Sequence, residues 1–296
     1  MVIATGFFDG VHLGHRFILR QLVEEARRRN DESMVVTFWP HPRNVLQDDA
    51  RNLRLLTSME EKKALIRSIG VDHIEVIPFT KEFCRLSAEE YLRDYIVGKF
   101  GGKAILVGYD NRIGSDQCTP GQTAEIARRL GLDVIRPERF VSDNGIVISS
   151  TKIRNSLQTG EIEEADSMLG YQYQLYGVVV SGNRLGHTIG FPTANMQLYE
   201  PLKLIPGNGV YLVKVETLGR VYDGMCNIGV RPTLGSGNAL TVETNIFDFN
   251  EDIYGLDIRI SFVSKIRNEV KFNDFSVLAS QLEKDREHCR ILLREK

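Results

Sequence analysis

The sequence predicts an α/β domain with a doubly wound parallel sheet, followed by an antiparallel β domain that ends in a helix. Two sequence patterns, one in each half of the chain, support this prediction. The first half of the 296 residues alternates continuous apolar runs with helical patterns, as expected for parallel strands covered on both faces. After about Tyr171, apolar and polar residues alternate with a period of two between Gly, Asn and Pro turns, which favours a sandwich or small barrel.

The elements of the first half are predicted from apolar runs and helix-start signals. The parallel strands are expected at Val2–Ala4, Met34–Phe38, Ile74–Ile77, Lys103–Val107 and Leu132–Ile135. One helix should follow the first strand, because apolar residues recur at helical spacing from Ile18 to Ala26. A capping box at Ser58–Glu61 predicts the start of a second helix, and Thr119-Pro120 predicts another.

The second half should begin after a polar, acidic and helical connector over Asn155–Gly170. Alternating patterns predict strands around residues 211–216 and 257–262. A final helix should start at Asn273 or Asp274. Its inward-facing residues are predicted to be Phe275, Leu278, Leu282, Cys289 and Leu292.

Composition narrows the classes of function. The net charge of −2 gives no reason to expect a nucleic-acid or membrane partner. The four cysteines form no C-x-x-C pair, which argues against a zinc site or a disulfide framework and fits a reducing cytoplasm. No apolar run reaches membrane-spanning length, and the N-terminus lacks the layout of a signal peptide. The sequence gives no prediction of oligomeric state.

The turn after the first strand is a candidate phosphate site. It contains three glycines, among them Gly6 and Gly14, and two histidines, His12 and His15, at the start of the first predicted helix. Glycines allow a ligand close to the backbone, and a helix N-terminus favours anions. The alternative is an ordinary strand-to-helix turn with incidental histidines. The strand, the glycines and the position together favour the phosphate site.

A second candidate anion site lies at Ile148–Arg154. Ser149, Ser150 and Thr151 offer hydroxyl groups and backbone amides at a predicted helix start, and Arg154 follows one turn later. Taken alone, this cluster is equally well a plain N-cap with a surface arginine. The chain contains no G-x-x-x-x-G-K-[ST] sequence and is therefore not expected to be a P-loop enzyme.

Two features of the second half suggest another site. A glycine-rich stretch with Gly182 and Gly186 leads into Pro192–Asn195, where Thr193 and Asn195 each offer an oxygen to a hard cation such as Mg²⁺. A local turn motif would explain these residues as well. Further on, alternation places Glu243 on the opposite strand face from Val242 and Thr244. By itself, Glu243 resembles a solvated strand carboxylate more than a base.

Considered together, these motifs resemble a known family. His12–His15 and Ile148–Arg154 resemble the HxGH and ISSTxxR signatures of nucleotidylyltransferases. With Phe38–Arg43, the turn resembles the adenylyltransferase module of prokaryotic bifunctional riboflavin kinase/FAD synthetases. The resemblance implies a Rossmann-like fold and transfer of AMP from ATP to FMN with release of pyrophosphate. It implies roles for His12, His15 and Arg154 in catalysis, and for Gly6, Phe8, Asp9, Gly14, Asp110, Ser149, Ser150 and Thr151 in nucleotide or flavin binding.

The second half resembles the riboflavin kinase module of the same family, a six-stranded antiparallel barrel with a C-terminal helix. The family's PTAN motif is present as Pro192–Asn195, and its catalytic glutamate falls on Glu243. The resemblance implies phosphorylation of riboflavin by ATP, with Mg²⁺ held by Thr193 and Asn195. The ligand-binding residues it implies are Gly182, Gly186, Asn227 and Arg267. The domains would then be residues 1–155 and 172–296, joined by a linker over 156–171.

The chain departs from the family pattern in one place, and two alternatives stay open. The family commonly has Gly-x-Asp-Phe-x-Phe-Gly where this chain has Asn111 and Ile113 in place of the two phenylalanines. One alternative is therefore that only the kinase is active. The other is a flavin-binding or sensing protein without catalysis, although binding alone would not need Glu243.

Overall fold

The computed structural model describes residues 1–41, 54–109, 111–141, 145, 147–182, 185–233, 237–272 and 274–294. By its internal contacts, the chain divides into two compact units, Met1–Ser150 and Thr151–Lys296. Within the described residues, every helix is too short or too polar to cross a lipid bilayer.

The first unit is built on a parallel sheet, as predicted. Its described strands are β1 (Val2–Thr5), β2 (Ser33–Trp39), β3 (His73–Pro78), β4 (Ala104–Leu106) and β5 (Asp133–Ile135). They lie in the order β3-β2-β1-β4-β5, and every neighbouring pair is parallel. The chain adds strands on one side of β1 and then crosses to the other side with β4. In such sheets, ligands bind outside the carboxyl ends of the strands where the order reverses.

Helices cover both faces of this sheet, which confirms the doubly wound prediction. They are α1 (Leu13–Arg28), α2 (Met59–Arg67), α3 (Ala88–Tyr91, continued as a π-helix over Leu92–Lys99) and α4 (Pro120–Arg129). Along β1, Val2 and Ala4 pack with Leu22 of α1, whereas Ile3 packs on the other face with Leu92. The predicted helix starts are confirmed, because capping boxes form at Ser58 and at Thr119.

The second unit contains two helices and a closed barrel. The helices α5 (Ser150–Thr159) and α6 (Ile162–Leu169) form the predicted helical connector, and α6 packs against β11. The described barrel strands are β6 (Gln174–Val180), β7 (Ala194–Leu198), β8 (Gly209–Thr217), β9 (Arg220–Thr233), β10 (Gly237–Ile246) and β11 (Asp257–Arg267). They close in the order β10-β7-β6-β11-β8-β9, with every pair antiparallel. The barrel implied by the family resemblance is therefore confirmed.

The final helix, α8, spans Phe275–Arg294 and follows the short helix α7 (Leu185–Thr188) in chain order. Asp274 caps it by accepting hydrogen bonds from the Ser276 N–H and hydroxyl at 2.6 and 2.7 Å; Asn273 lies outside the described residues. The core beside the barrel includes Leu282, Cys289 and Leu292, as predicted. Phe275 was predicted to face inward, but it is 60% exposed, and it lines a cavity beside the barrel instead of the core.

Candidate active sites

The turn between β1 and α1 has an unusual backbone. Phe8 and Val11 have positive φ angles of 48° and 37°, a region that side chains other than glycine rarely adopt. Such residues persist only where surrounding contacts impose them. The turn lies at the carboxyl end of the central strand, where the fold predicts a ligand.

Asp9 supplies the contacts that impose this conformation. Its carboxylate is buried and accepts hydrogen bonds from the Leu56 N–H at 3.1 Å and from the Thr57 N–H at 3.2 Å. The Thr57 hydroxyl donates to Asp9 at 3.3 Å and accepts from the Gly10 N–H at 3.1 Å. Asp9 therefore ties the turn to residues 56–57, two residues that the sequence reasoning did not connect with the site.

The two histidines form one unit at the N-terminus of α1. Nδ1 of His12 accepts the His15 N–H at 3.3 Å, so His12 caps the helix with its own ring. The rings stack with centroids 3.6 Å apart. Because Nδ1 is an acceptor, neutral His12 carries its proton on Nε2 and can donate from that atom. A Cβ on Gly14 would lie 3.3 Å from the His12 ring, a tight contact that glycine avoids.

The structure favours the neutral imidazole form of His15. Burial, then His12, then Lys62 lower its pKa well below 6.5. The Phe8 ring meets it edge-on at 5.3 Å. Its Nδ1 is buried and has no hydrogen-bond partner within the described residues. A buried polar atom without a partner calls for an explanation, and a ligand oxygen at the helix N-terminus supplies one.

Lys62 is a component of this site that the sequence reasoning missed. It lies on α2 and is 5% exposed. Burial lowers its pKa, while the Asp9 carboxylate acts in the opposite direction. Its electrostatic interaction with His15 places an amino group close to the histidine turn. The available signal was its position four residues before Ile66, on the apolar face of a helix whose start had been recognised.

The depressed pKa of His15 predicts acid sensitivity of the first unit. Below pH 6.5 the unfolded chain binds a proton at His15 that the folded chain does not. The free energy of unfolding therefore decreases as the pH is lowered. One such group contributes a slope of up to about 1.4 kcal/mol per pH unit. We expect the free energy of unfolding to fall less between pH 6.5 and 5 in His15→Gln than in the wild type. Urea titrations without nucleotide, followed by fluorescence of the single tryptophan, Trp39 on β2, measure this; equal slopes would contradict it.

The second predicted anion cluster begins next to this turn. The Ser150 hydroxyl, at the start of α5, donates to the backbone carbonyl of Asp9 at 3.0 Å. Ser149, the preceding residue, is half-buried. Thr151, which is exposed, and Arg154, which is half-buried, fall within the second compact unit. The structure thus brings Ser150 to the histidine turn, and the roles of the other members stay predictions. Asp110 lies outside the described residues.

An aromatic cavity of about 370 Å³ opens at the carboxyl ends of β1 and β2. Its rings are those of Phe7, Phe38, Phe79, Phe83 and Tyr91, and Gly6 also lines it. A Cβ on Gly6 would lie 3.1 Å from the Phe8 ring, a tight contact that glycine avoids. Ile113 lines the cavity and belongs to the hydrophobic core behind it. The aromatic lining is therefore extensive although Asn111 and Ile113 replace the two family phenylalanines.

In the second unit, Glu243 stands in a row of polar side chains. On β10 it is paired directly with Asn195 of β7 on one side and with Asn227 of β9 on the other. Residues opposed in this way have Cβ atoms about 5 Å apart on the same face of the sheet. The barrel therefore places the predicted base between a predicted metal ligand and a predicted ligand-binding residue.

The alternation along β10 opens onto two cavities. Glu243 and Asn245 line a cavity of about 240 Å³, whereas Thr244 and Ile246 line another of about 570 Å³. This confirms the predicted separation of the two strand faces. Thr193 lines both cavities and therefore marks the place where they adjoin. The smaller cavity is mostly apolar, with Phe191, Phe272 and Phe275 among its lining residues.

The glycines of this site allow close backbone approach. A Cβ on Gly182 would lie 2.3 Å from the side-chain nitrogen Nδ2 of Asn195. A Cβ on Gly186 would lie 2.1 Å from the backbone carbonyl oxygen of Phe191. Asn245, which the sequence reasoning did not assign, donates from Nδ2 to the Pro192 carbonyl at 2.7 Å. These contacts hold the loop that carries Thr193 against β10.

Arg267 lines the smaller cavity, but its guanidinium is bound within the protein. It forms a two-pronged ion pair with Asp285 of α8, with distances of 2.8 to 3.0 Å. Gln281 also donates to Asp285 at 2.8 Å. Asp285 is almost fully buried, so this pair fastens the final helix beside the cavity. Sequence reasoning missed Asp285; its spacing of four residues from the core residue Cys289 was the available signal.

Two different family models match the two halves of the chain. The family model described as FAD synthetase matches residues 1–152, and the one described as riboflavin kinase matches residues 169–293. A solved structure described as a macrolide-efflux protein from Streptococcus pneumoniae superposes with a TM-score of 0.88. It is 34% identical, over 98% of this chain and 93% of that one.

Curated relatives extend the match over nearly the full length. The bifunctional riboflavin kinase/FMN adenylyltransferase of Listeria monocytogenes is 37% identical, over 98% of this chain and 91% of that protein. The enzyme of the same name from Bacillus subtilis is 36% identical, over 97% of this chain and 91% of that protein. The chain therefore belongs to the bifunctional riboflavin kinase/FMN adenylyltransferase family.

Proposed function

We propose that this chain makes FMN from riboflavin in its barrel unit and FAD from FMN in its parallel-sheet unit, using ATP in both. The observation that carries the proposal is that one chain contains two units of unlike fold, each matched over most of its length by a different family model. We assign adenylyl transfer to residues 1–155, a linker to 156–171 and the kinase to 172–296. A reducing cytoplasm suits its four free cysteines.

For adenylyl transfer, we assign charge stabilisation to the first site, because the reaction needs no base. The attacking FMN phosphate is largely ionised near neutral pH, since its second pKa is about 6. The reaction therefore requires alignment and neutralisation of the charge that develops on the ATP phosphates. In our proposal, His12 donates from Nε2, the α1 N-terminus offers N–H groups, and the aromatic cavity holds the flavin ring. Ser149, Thr151 and Arg154 are assigned to the phosphates.

For the kinase, the second site supplies a base next to an apolar cavity. A hydroxyl group is a poor nucleophile until a neighbouring group can accept its proton. We assign this role to Glu243 and place riboflavin in the smaller cavity, where aromatic residues lie close to that carboxylate. ATP is assigned to the larger cavity, because Thr193 is shared by both and phosphoryl transfer must occur where they adjoin.

Mg²⁺ is proposed as the metal of the kinase site. Thr193 and Asn195 would hold it, since a hydroxyl and an amide carbonyl are hard oxygen ligands and Asn195 lies beside Glu243. Gly182 leaves room for the Asn195 side-chain amide, and the oxygens of Thr193 and Asn195 are of the kind that binds such a cation. When bound, Mg²⁺ neutralises charge on the ATP phosphates.

Chromatography of flavins after incubation with ATP and Mg²⁺ tests both activities. Riboflavin should be converted to FMN and then FAD, and added FMN should give FAD. FMN accumulation without FAD would favour a chain with kinase activity alone, and flavin binding without turnover would favour a sensor. Although the pneumococcal structure bears the name of a macrolide-efflux protein, both family models and both sets of motifs indicate flavin nucleotides.

A further inference from the structure

Asn111 lies at the carboxyl ends of the strands where the strand order reverses, which is where parallel sheets of this kind bind ligands. It follows β4, and its side chain reaches the end of β1, the strand on the other side of the reversal in strand order. It lines the aromatic cavity together with Thr5. Asn111 is thus an amide group in a position where the family commonly has a ring.

A hydrogen bond fixes the orientation of this amide. Asn111 Nδ2 donates to the backbone carbonyl of Thr5 at 3.0 Å. Because a carbonyl oxygen only accepts, the nitrogen must face Thr5 and cannot exchange places with Oδ1. Within the part of the chain that the structure describes, Oδ1 has no hydrogen-bond donor, and it is not sealed from solvent. It is therefore an oriented acceptor on a residue of the cavity wall.

The neighbouring polar groups of the wall are largely engaged with the protein. The Thr5 and Tyr91 hydroxyls share a hydrogen bond of 2.8 Å. The Ser115 hydroxyl donates to the Arg85 carbonyl at 2.9 Å, and Arg112 donates to the Gln117 carbonyl at 3.3 Å. In a cavity lined by aromatic rings, a hydrogen-bond acceptor with a fixed orientation is costly to leave without a donor. It therefore discriminates strongly between ligands that offer a donor and ligands that do not.

We propose that Asn111 is a specificity-determining residue of the adenylyl-transfer site, whose Oδ1 accepts a hydrogen bond from FMN. This inference rests on the proposed function of the first unit. The donor is either the imide N–H of the flavin ring, its only N–H in the oxidised state, or a hydroxyl of the ribityl chain. Both sources share the chemistry of a donor meeting a fixed amide oxygen, and the two arms of the test below distinguish them.

The test compares Asn111→Leu with the wild type, because leucine has a similar volume without the amide. FAD formation from FMN and ATP gives KM for FMN, and lumiflavin, which has the ring without the chain, is used as a competitive inhibitor. We expect the KM for FMN to rise about tenfold, the effect of one hydrogen bond lost in an apolar site. The KM for ATP in the same reaction should be unchanged, which controls for the folding of this unit, and riboflavin phosphorylation in the other unit should be unchanged as well.

The two sources of the donor give different results. If the ring N–H is the donor, lumiflavin inhibition also weakens about tenfold, and wild-type protein discriminates against 3-methyl-FMN to a similar extent. This second measurement needs no variant and so cannot fail through misfolding. If the chain is the donor, lumiflavin inhibition is unchanged while FMN weakens. A KM for FMN within twofold of wild type, with no discrimination against 3-methyl-FMN, would overturn the inference. Absence of FAD formation by the wild type would instead reject the proposed function.

Discussion

Glu243→Gln is expected to lower the rate of riboflavin phosphorylation by roughly 10²–10⁴-fold, the range for loss of a general base. The substitution keeps the shape of the side chain and its neighbours Asn195 and Asn227 but removes the carboxylate that we propose as the proton acceptor. Adenylylation of added FMN should stay at the wild-type rate, because that step uses the other unit. Initial rates for the two reactions, measured separately on one preparation, test the prediction.

A matched control is available on the same barrel. Glu216 lies on β8, where it is exposed and paired with Arg259 at 2.7 Å. Glu216→Gln should leave both rates within about twofold of wild type, since exposed ion pairs contribute at most about 1 kcal/mol. A Glu243→Gln enzyme that kept its kinase rate, or lost both rates equally while still folded, would remove Glu243 from the proposed role.

His15→Ala should lower FAD formation by roughly 10²–10³-fold, the range for loss of one group that stabilises developing charge. The ring it removes is stacked on His12 at 3.6 Å and has a buried nitrogen with no partner in the described structure. Riboflavin phosphorylation should be unaffected. The measurement is FAD formation at saturating FMN and ATP, so that weaker substrate binding does not hide the effect on kcat.

The control for this variant is another histidine of the same unit. His73, on β3, is partly exposed and lies 3.1 Å from Glu32 on the surface. His73→Ala should retain FAD formation within about twofold. If both histidine variants reduced FAD formation equally, the effect would reflect damage to the unit and not a role for His15 in the reaction.

Much of the fold could be predicted because local patterns determine it. Apolar runs marked the parallel strands, Ser58 and Thr119 marked helix starts, and a period of two marked the strands of the barrel. These signals depend on residues close in sequence. Phe275 shows the limit, because a helical stripe predicts which face is apolar but does not tell how far along the helix the core extends.

The residues missed were charged or amide side chains that are buried by distant parts of the chain. Lys62 lies near Asp9 and His15, Asp285 binds Arg267, and Asn245 holds the Pro192 loop. Helical spacing indicates that Lys62 and Asp285 lie on apolar faces, but it does not identify the residues that they contact. Buried polar groups require partners, but the partners are supplied by tertiary structure.

The sequence by itself determined the order of the two folds, the histidine turn, the PTAN loop and Glu243, because each depends on residue type and short spacing. Only the tertiary structure decided that β10 lies between β7 and β9, which places Glu243 opposite Asn195 and Asn227. It also decided that two cavities adjoin at Thr193 and that the Asn111 amide is bound to the Thr5 carbonyl. The physical reason is that strand register and cavity shape arise from long-range pairing and packing, which no local pattern specifies.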